Sequence, residues 1–373
     1  MPPINLLIKP ASSLCNMRCK YCFYSDVSKS REHRSYGMMS IDTLESVVKR
    51  AFEYATDYVG FAFQGGEPTL AGMDFYKKLI EFQRKYNTKK IKIHNAIQTN
   101  GYLIDDEWAS FLAENGFLVG LSLDGTKEAH NSLRVDANGE GTYNRVIKAA
   151  EVLERNKVEF NILCVVNNFV ARYPRKVYEQ LKKYKYIQFI ACLDGFDGEK
   201  TPYSLTQERY SNFLIQTFDL YYRDIMNGDF VSVRNFDNYI NILLGRPPES
   251  CAMNGYCTCY CVVEGDGSVY PCDFYVLDEW KIGNVITDSL EDMIRSDTAK
   301  RFVEQSYHIS DGCKVCRFYK LCRGGCRRER EPFVGGYPGI NNFCQSYKAF
   351  FDSSMEKLSE IARMIKINSI YDN

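Results

Sequence analysis

Over its first 230 residues the chain alternates short apolar or β-branched runs with longer stretches whose apolar positions recur at helical spacing. The short runs lie at 5–9, 58–63, 91–97, 117–123, 158–166 and 186–191, and each reads as a buried strand. Between them, IDTLESVVKRAFEYA and NRVIKAAEVLERNK place apolar residues three and four apart, the stripe of an amphipathic helix. Six such alternations predict an α/β fold, a parallel sheet with right-handed crossovers curled into a barrel or partial barrel. In these sheets chemistry gathers at the C-terminal ends of the strands.

The pattern changes after the sixth strand. From about Thr206 to Leu244 the chain reads as helices rich in Tyr and Phe, GRPPES then breaks the period, and the stretch to Cys344 is turn-rich and full of cysteine. A helix over 346–367 closes the chain. The expected domains are 1–230, a barrel; 231–345, a cysteine-rich extension; and 346–373, a C-terminal helix packing on the barrel.

Composition narrows the function. The 373 residues carry 47 Lys plus Arg against 47 Asp plus Glu, a net charge of zero that argues against a nucleic-acid partner held by phosphate neutralisation. No apolar run reaches the roughly 18 residues of a membrane helix, and MPPINLLIKPASS lacks the features of a signal peptide, so no membrane partner and a cytoplasmic location are expected. Fifteen cysteines, an odd number and clustered, point to metal rather than to a disulfide framework. With only four histidines and no HxxxH pair, that metal is held by sulfur.

The cysteine pattern begins where the first strand ends. In SSLCNMRCKYCFY, Cys15, Cys19 and Cys22 offer three soft thiolates in one loop, ligands that suit iron and sulfur. A [4Fe–4S] cube on three thiolates keeps one iron open for a non-protein ligand; a zinc knuckle lacking one ligand is the plainer alternative. After the second strand comes FQGGEPTL, where Gly65 and Gly66 let the backbone approach a ligand and Glu67 before Pro68 fixes the turn. Cys251, Cys257 and Cys272 lie in the second half, followed by the run CxxCxxxxxCxxxC of Cys313, Cys316, Cys322 and Cys326, and then Cys344. A zinc ribbon interaction module is the alternative there. Cys164 and Cys192 at strand ends read as buried apolar residues, while Cys259 and Cys261 crowd Cys257 and either could replace it as a ligand. The run CRRERE from Cys326 reads as a solvated face.

The triplet, its preceding strand NLLIKP and the aromatic Tyr21 resemble the radical S-adenosylmethionine (SAM) enzymes, whose open iron takes the amino and carboxylate groups of SAM. That resemblance implies a partial (β/α)6 TIM-like barrel, with the GGEP backbone of Gly65, Gly66 and Glu67 receiving the SAM amino group. It also implies Ser122 of LSLDG and Arg134 at the SAM carboxylate, Leu193 at the adenine, and Tyr21 beside the cluster. The later cysteines look like the SPASM extension, which carries two auxiliary [4Fe–4S] clusters. By position one takes Cys251, Cys257, Cys272 and Cys326, the other Cys313, Cys316, Cys322 and Cys344. Together with YPCDFYVLD at 270–278, these motifs resemble the anaerobic sulfatase-maturating enzymes.

The implied reaction oxidises a cysteine or serine side chain of an unfolded or nascent sulfatase to formylglycine, with three [4Fe–4S] clusters and SAM as cofactors. Asp273 is the implied base, Tyr24 and Gln64 stand where a peptide would be met, and an external low-potential electron donor of flavodoxin or ferredoxin type is required. A maturase forming crosslinks in a ribosomal peptide is the alternative within catalysis.

Overall fold

The computed structural model describes residues 3–333 and 335–371, the last four of these as backbone only; Met1, Pro2, Val334, Asp372 and Asn373 of the expected domains lie outside the described residues. In chain order its strands are β1 (Ile4–Ile8), β2 (Tyr58–Phe63), β3 (Lys92–Thr99), β4 (Phe117–Ser122), β5 (Phe160–Val166), β6 (Tyr186–Ala191), β7 (Ser232–Val233), β8 (Val262–Val263), β9 (Ser268–Tyr270) and β10 (Gly283–Asn284). The six runs seen in the sequence are β1 to β6, each displaced by no more than two residues at either end.

The chain divides into two compact units, both discontinuous in sequence. The first comprises 1–122, 131–161 and 258–302; the second comprises 123–130, 162–257 and 303–373. In the first unit β1 to β4 run parallel in sequence order, with Ile8 opposite Phe63, Phe63 opposite Ile97, and Thr99 opposite Leu121. β1, β2 and β4 are near-continuously apolar, as strands covered on both faces are, whereas β3 alternates and buries Asn95, Ile97 and Thr99. The helix Ile41–Tyr54 starts where Ser40 accepts a 3.0 Å bond from Thr43 N, and it buries Leu44, Val47, Val48 and Ala51. Tyr76 of the helix Met73–Tyr86 fills the space among Phe63, Trp108 and Phe117, with ring centroids 5.1, 5.4 and 6.2 Å away.

The other edge of β1 is occupied by a segment from the cysteine-rich stretch. β8 pairs parallel with β1, Ile8 opposite Val263, and Lys9 N donates to Val263 O at 2.8 Å. The turn EGDGSV returns the chain antiparallel through β9, and β10 follows antiparallel to β9. Residues 262–284 are therefore integral to the sheet begun at residue 4. Neither β8 nor β10 is visible as a period in the sequence, because two residues cannot display one.

In the second unit β5, β6 and β7 run parallel. The helices Gln207–Met226 and Arg234–Leu243 and the C-terminal helix Cys344–Tyr371 pack through aromatic rings, Phe218 against Phe236 at 5.1 Å and against Phe350 at 5.5 Å. The same unit corrects the reading of CRRERE as a solvated face, since Arg327, Arg328 and Arg330 are all buried. Their guanidinium groups donate to backbone carbonyls and, from Arg327, to the Gln305 side chain at 2.9 Å. Arg330 donates to Gly339 O, His308 O and Pro338 O at 2.9, 2.6 and 3.2 Å, and Arg328 donates to Asp194 O at 2.7 Å while lying over the Phe196 ring.

Arg330→Ala should consequently lower stability by about 3 kcal/mol, the upper end for hydrogen bonds to a charged group. Arg363→Ala, on an exposed helical position, should change it by less than about 0.5 kcal/mol. Denaturant midpoints of the two variants measure the difference.

Candidate functional site

The cysteine triplet forms a loop between β1 and the helix Phe23–Lys29, with Cys22 as the residue that precedes that helix. Two backbone bonds, Arg18 N to Val135 O at 2.7 Å and Lys20 N to Leu133 O at 2.9 Å, tie the loop to the segment carrying Arg134. Arg134 is buried and donates to the Tyr21 hydroxyl at 2.9 Å, so these two expected SAM-site residues meet. Met17 N lies 3.4 Å and Asn100 Nδ2 3.7 Å from Cys15 Sγ.

Burial pushes the Cys15 thiol up to about 12, against the lowering effect of the Met17 amide. A proton is therefore favoured on this sulfur until a metal replaces it, whereupon the two N–H donors stabilise the bound thiolate. Asn16 Nδ2 is buried with no acceptor among the described residues. No three metal-ligating side chains converge on one point among the described residues. A cube distributes its thiolates over separate iron corners and does not require them to converge on one point.

The GGEP turn packs directly on this loop. Gly66 has φ of +53° and a Cβ there would stand 2.1 Å from Leu14 O; Gly65 has φ of +110° and a Cβ would stand 2.7 Å from Lys9 Cγ. Glu67 N donates to Leu14 O at 2.8 Å. The Glu67 carboxylate is buried and accepts from Thr69 N, Thr69 Oγ1, Thr99 Oγ1 and Asn100 N at 3.1, 2.7, 2.7 and 2.8 Å. Burial raises its pKa and these donors oppose the rise. Glu67 thereby staples the end of β2 to QTNG at the end of β3. Ser122 is half-buried at the end of β4. Leu193, half-buried after β6, belongs to the second unit.

The hairpin of β8 and β9 delivers Asp273 to the same strand ends. Following Cys272, Asp273 opens a short 3-10 turn, and its neighbour Phe274 packs on Phe23 with centroids 4.8 Å apart. Asp273 Oδ1 accepts from Lys9 Nζ, and Oδ2 accepts from Gln64 Nε2 at 2.7 Å. Lys9 lies fully buried with its ammonium 3.8 Å from the centroid of the Tyr24 ring. Tyr24, also buried, donates its hydroxyl to Glu264 Oε1. Sequence reasoning named Asp273, Tyr24 and Gln64 but missed Lys9, Arg31 and Glu264. A lysine amid the apolar strand NLLIKP was the available signal for the first.

Seven of the remaining cysteines fall into two groups within the second unit. Cys251, Cys257 and Cys326 lie within electrostatic reach of one another, and burial raises all three thiols. Cys313, Cys316, Cys322 and Cys344 form the other, with Cys322 pushed up to about 12 by burial. Cys259 and Cys261 belong to the first unit, where their thiols are hydrogen-bonded, lowering Cys259 and raising Cys261. Cys272 belongs to the first unit as well.

Two family models match the chain: the Radical SAM superfamily over residues 10–191, and SPASM, an iron-sulfur cluster-binding domain, over 251–317. The fold and the thiol groups thus define a radical SAM protein with a SPASM extension. Similarity then resolves the class further. The chain is 49% identical over 369 residues to the cysteine-type anaerobic sulfatase-maturating enzyme of Clostridium novyi, covering 98% of this chain and 99% of that one. It is 50% identical to the enzyme of that name from Clostridium perfringens, covering 98% and 100%. The serine-type enzyme of Bacteroides thetaiotaomicron is 32% identical, over 94% of this chain and 89% of that one. Among solved structures, native anSMEcpe with bound AdoMet and Cp18Cys peptide matches with a TM-score of 0.93 at 50% identity, covering 98% of this chain and 100% of that one. The protein belongs to the anaerobic sulfatase-maturating enzyme family.

Gly66→Ala tests the packing of the two loops. The added methyl clashes with backbone at Leu14, so the triplet loop should move and the radical cluster should be lost, cutting iron content by about one third. Iron and sulfide analysis of the reconstituted protein measures this.

Proposed function

We propose that the protein oxidises a cysteine side chain of an unfolded or nascent sulfatase to Cα-formylglycine. Its near-full-length similarity to cysteine-type members, at 49–50% identity against 28–32% for serine-type members, favours cysteine over serine. Native anSMEcpe was solved with bound AdoMet and Cp18Cys peptide, which supports reading the strand-end site here as the place for both. The observation that carries the residue assignments is the convergence of Asp273, Gln64 and the triplet loop within one compact unit.

Cys15, Cys19 and Cys22 hold the radical cluster, while Tyr21, Gly65, Gly66, Glu67, Ser122, Arg134 and Leu193 form the SAM site. Glu67 acts there through the turn it staples. Cys251, Cys257, Cys272 and Cys326 hold one auxiliary cluster, and Cys313, Cys316, Cys322 and Cys344 hold the other. When bound, SAM and the three clusters supply a 5′-deoxyadenosyl radical that takes hydrogen from the substrate Cβ, and an acceptor for the second electron. Asp273 receives the thiol proton, which must leave for the carbon–sulfur double bond to form. Water then converts the thioaldehyde to the aldehyde and releases hydrogen sulfide. Gln64 meets the peptide beside Asp273, and Tyr24 forms the wall behind Lys9. The wider division is 1–230 for the radical cluster and SAM, 231–345 for the auxiliary clusters together with Asp273, and 346–373 for the closing helix. Electrons come from a flavodoxin- or ferredoxin-type donor. A cytoplasmic location is part of the same reading; no helix among the described residues is long and apolar enough to cross a membrane.

Anaerobic incubation with SAM, reductant and a sulfatase-motif peptide, followed by mass spectrometry, tests the function; a peptide left unmodified while SAM is cleaved would refute it. Asp273→Asn should still form 5′-deoxyadenosine while formylglycine falls by about 10²-fold or more, within the range for loss of a general base. Replacing Cys15, Cys19 and Cys22 together by Ala should abolish SAM cleavage and leave the auxiliary iron in place, as iron analysis will register.

A further inference from the structure

Among the described residues Lys9 is the one buried ammonium at the site, and its surroundings are built rather than incidental. A buried cation is costly unless paired and held in good geometry. Lys9 meets one carboxylate, Asp273 Oδ1, and one aromatic face, that of Tyr24 at 3.8 Å. Its stem occupies the volume that a side chain at residue 65 would take: a Cβ on Gly65 would stand 2.7 Å from Cγ and 2.8 Å from Nζ. Its backbone N is fixed by Val263 O.

The aromatic wall is fixed in turn. Tyr24 donates its hydroxyl to Glu264 Oε1, and Arg31 Nη1 donates to the same oxygen at 2.8 Å, with both charged side chains fully buried. Gly265 N donates to the other Glu264 oxygen at 3.0 Å, and Arg31 Nη2 reaches Arg34 O at 3.1 Å and Ser12 Oγ at 3.3 Å. An unbroken chain of contacts therefore runs from the Arg31–Glu264 pair through Tyr24 and Lys9 to Asp273, all within one compact unit. At its end the Asp273 carboxylate is held by a donor on each oxygen, Lys9 on one and Gln64 on the other.

We infer that Lys9 is a positioning residue for Asp273, and that the buried Arg31–Glu264 pair sets the position of Lys9 through Tyr24. The inference rests on the reading of Asp273 as the base. Lys9 fixes the plane and the reach of the carboxylate without itself touching the reacting carbon or sulfur. A catalytic group displaced by an ångström loses rate steeply. Loss of Lys9 therefore appears as uncoupling: the radical still forms, but the proton is not collected in step with it and less of the peptide is carried through.

The test uses the reconstituted holoenzyme with a cysteine peptide, measuring 5′-deoxyadenosine, formylglycine, iron content and the peptide dissociation constant. Lys9→Met, close to lysine in length but neutral, should keep iron content and peptide affinity. It should keep 5′-deoxyadenosine formation within about 3-fold, while formylglycine per 5′-deoxyadenosine falls by about 10–100-fold through kcat rather than KM. Lys9→Arg should recover part of that ratio. Lys9→Met placed in Asp273→Asn should add no further loss, because the two act through one carboxylate. Glu264→Gln, which weakens the far end of the chain, should lower the ratio in the same sense and carries the test if Lys9→Met is insoluble. A wild-type ratio in Lys9→Met, or in Glu264→Gln where that variant decides, overturns the inference. So does a fall of both products in proportion to lost iron. If Asp273→Asn itself makes formylglycine at the normal ratio, the base assignment fails. If Asp273→Asn uncouples and Lys9→Met does not, only the role of Lys9 fails.

Discussion

The pairing of β8 with the free edge of β1 is the contact on which the catalytic arrangement depends. Two backbone bonds, Leu7 N to Cys261 O and Lys9 N to Val263 O, join parts of the chain that are remote in sequence. From that register follow the position of Glu264 behind Tyr24, the return of β9, and the arrival of Cys272 and Asp273 at the ends of β1 and β2. A slip by one residue would turn every side chain of β8 to the opposite face and take Glu264 away from Arg31. The radical machinery and the candidate base are thus parts of one sheet, although the chain supplies them from opposite ends.

Polar groups placed inside this sheet are balanced locally. Arg31 faces Glu264 and Lys9 faces Asp273, so two cations are matched by two anions, with Arg31, Glu264 and Lys9 fully buried. Glu67 has no cation, and four N–H and O–H donors take that place. The distinction is functional: Glu67 joins two turns and is closed off, whereas Asp273 retains some exposure at 14% of its side chain. The Glu67 carboxylate takes all four of its donors from the turns it joins and so holds structure, while Asp273 stands at the strand ends with part of its side chain accessible.

Much of this was legible beforehand. The strands β1 to β6 announced themselves by apolar runs, and the candidate thiol ligands by spacing, because a cluster demands particular residues at short intervals. The proximity of Cys257 to Cys251 and Cys326 is visible only in the folded chain. So did the burial of Arg327, Arg328 and Arg330, since a sequence shows charge but not the backbone carbonyls that will receive it. Lys9, Arg31 and Glu264 escaped notice for a related reason. Each is an ordinary charged residue whose partner lies far along the chain, 264 positions away for Lys9 and 233 for Arg31. The parallel docking of β8 on β1 was illegible because a two-residue strand carries no period.

That docking has a temporal consequence. Ribosomes add about 5–20 residues per second, so β1 emerges roughly 10–50 s before the segment that will cover its edge has been made. Throughout that interval the strand presents unpaired amides and carbonyls, the condition under which edges recruit wrong partners. The buried Lys9 offers a natural guard. Until Asp273 arrives, its ammonium stands on the open edge as a solvated charge, the kind of residue that discourages strand addition. The same side chain is thus a gatekeeper on the growing chain and an anchor in the finished one.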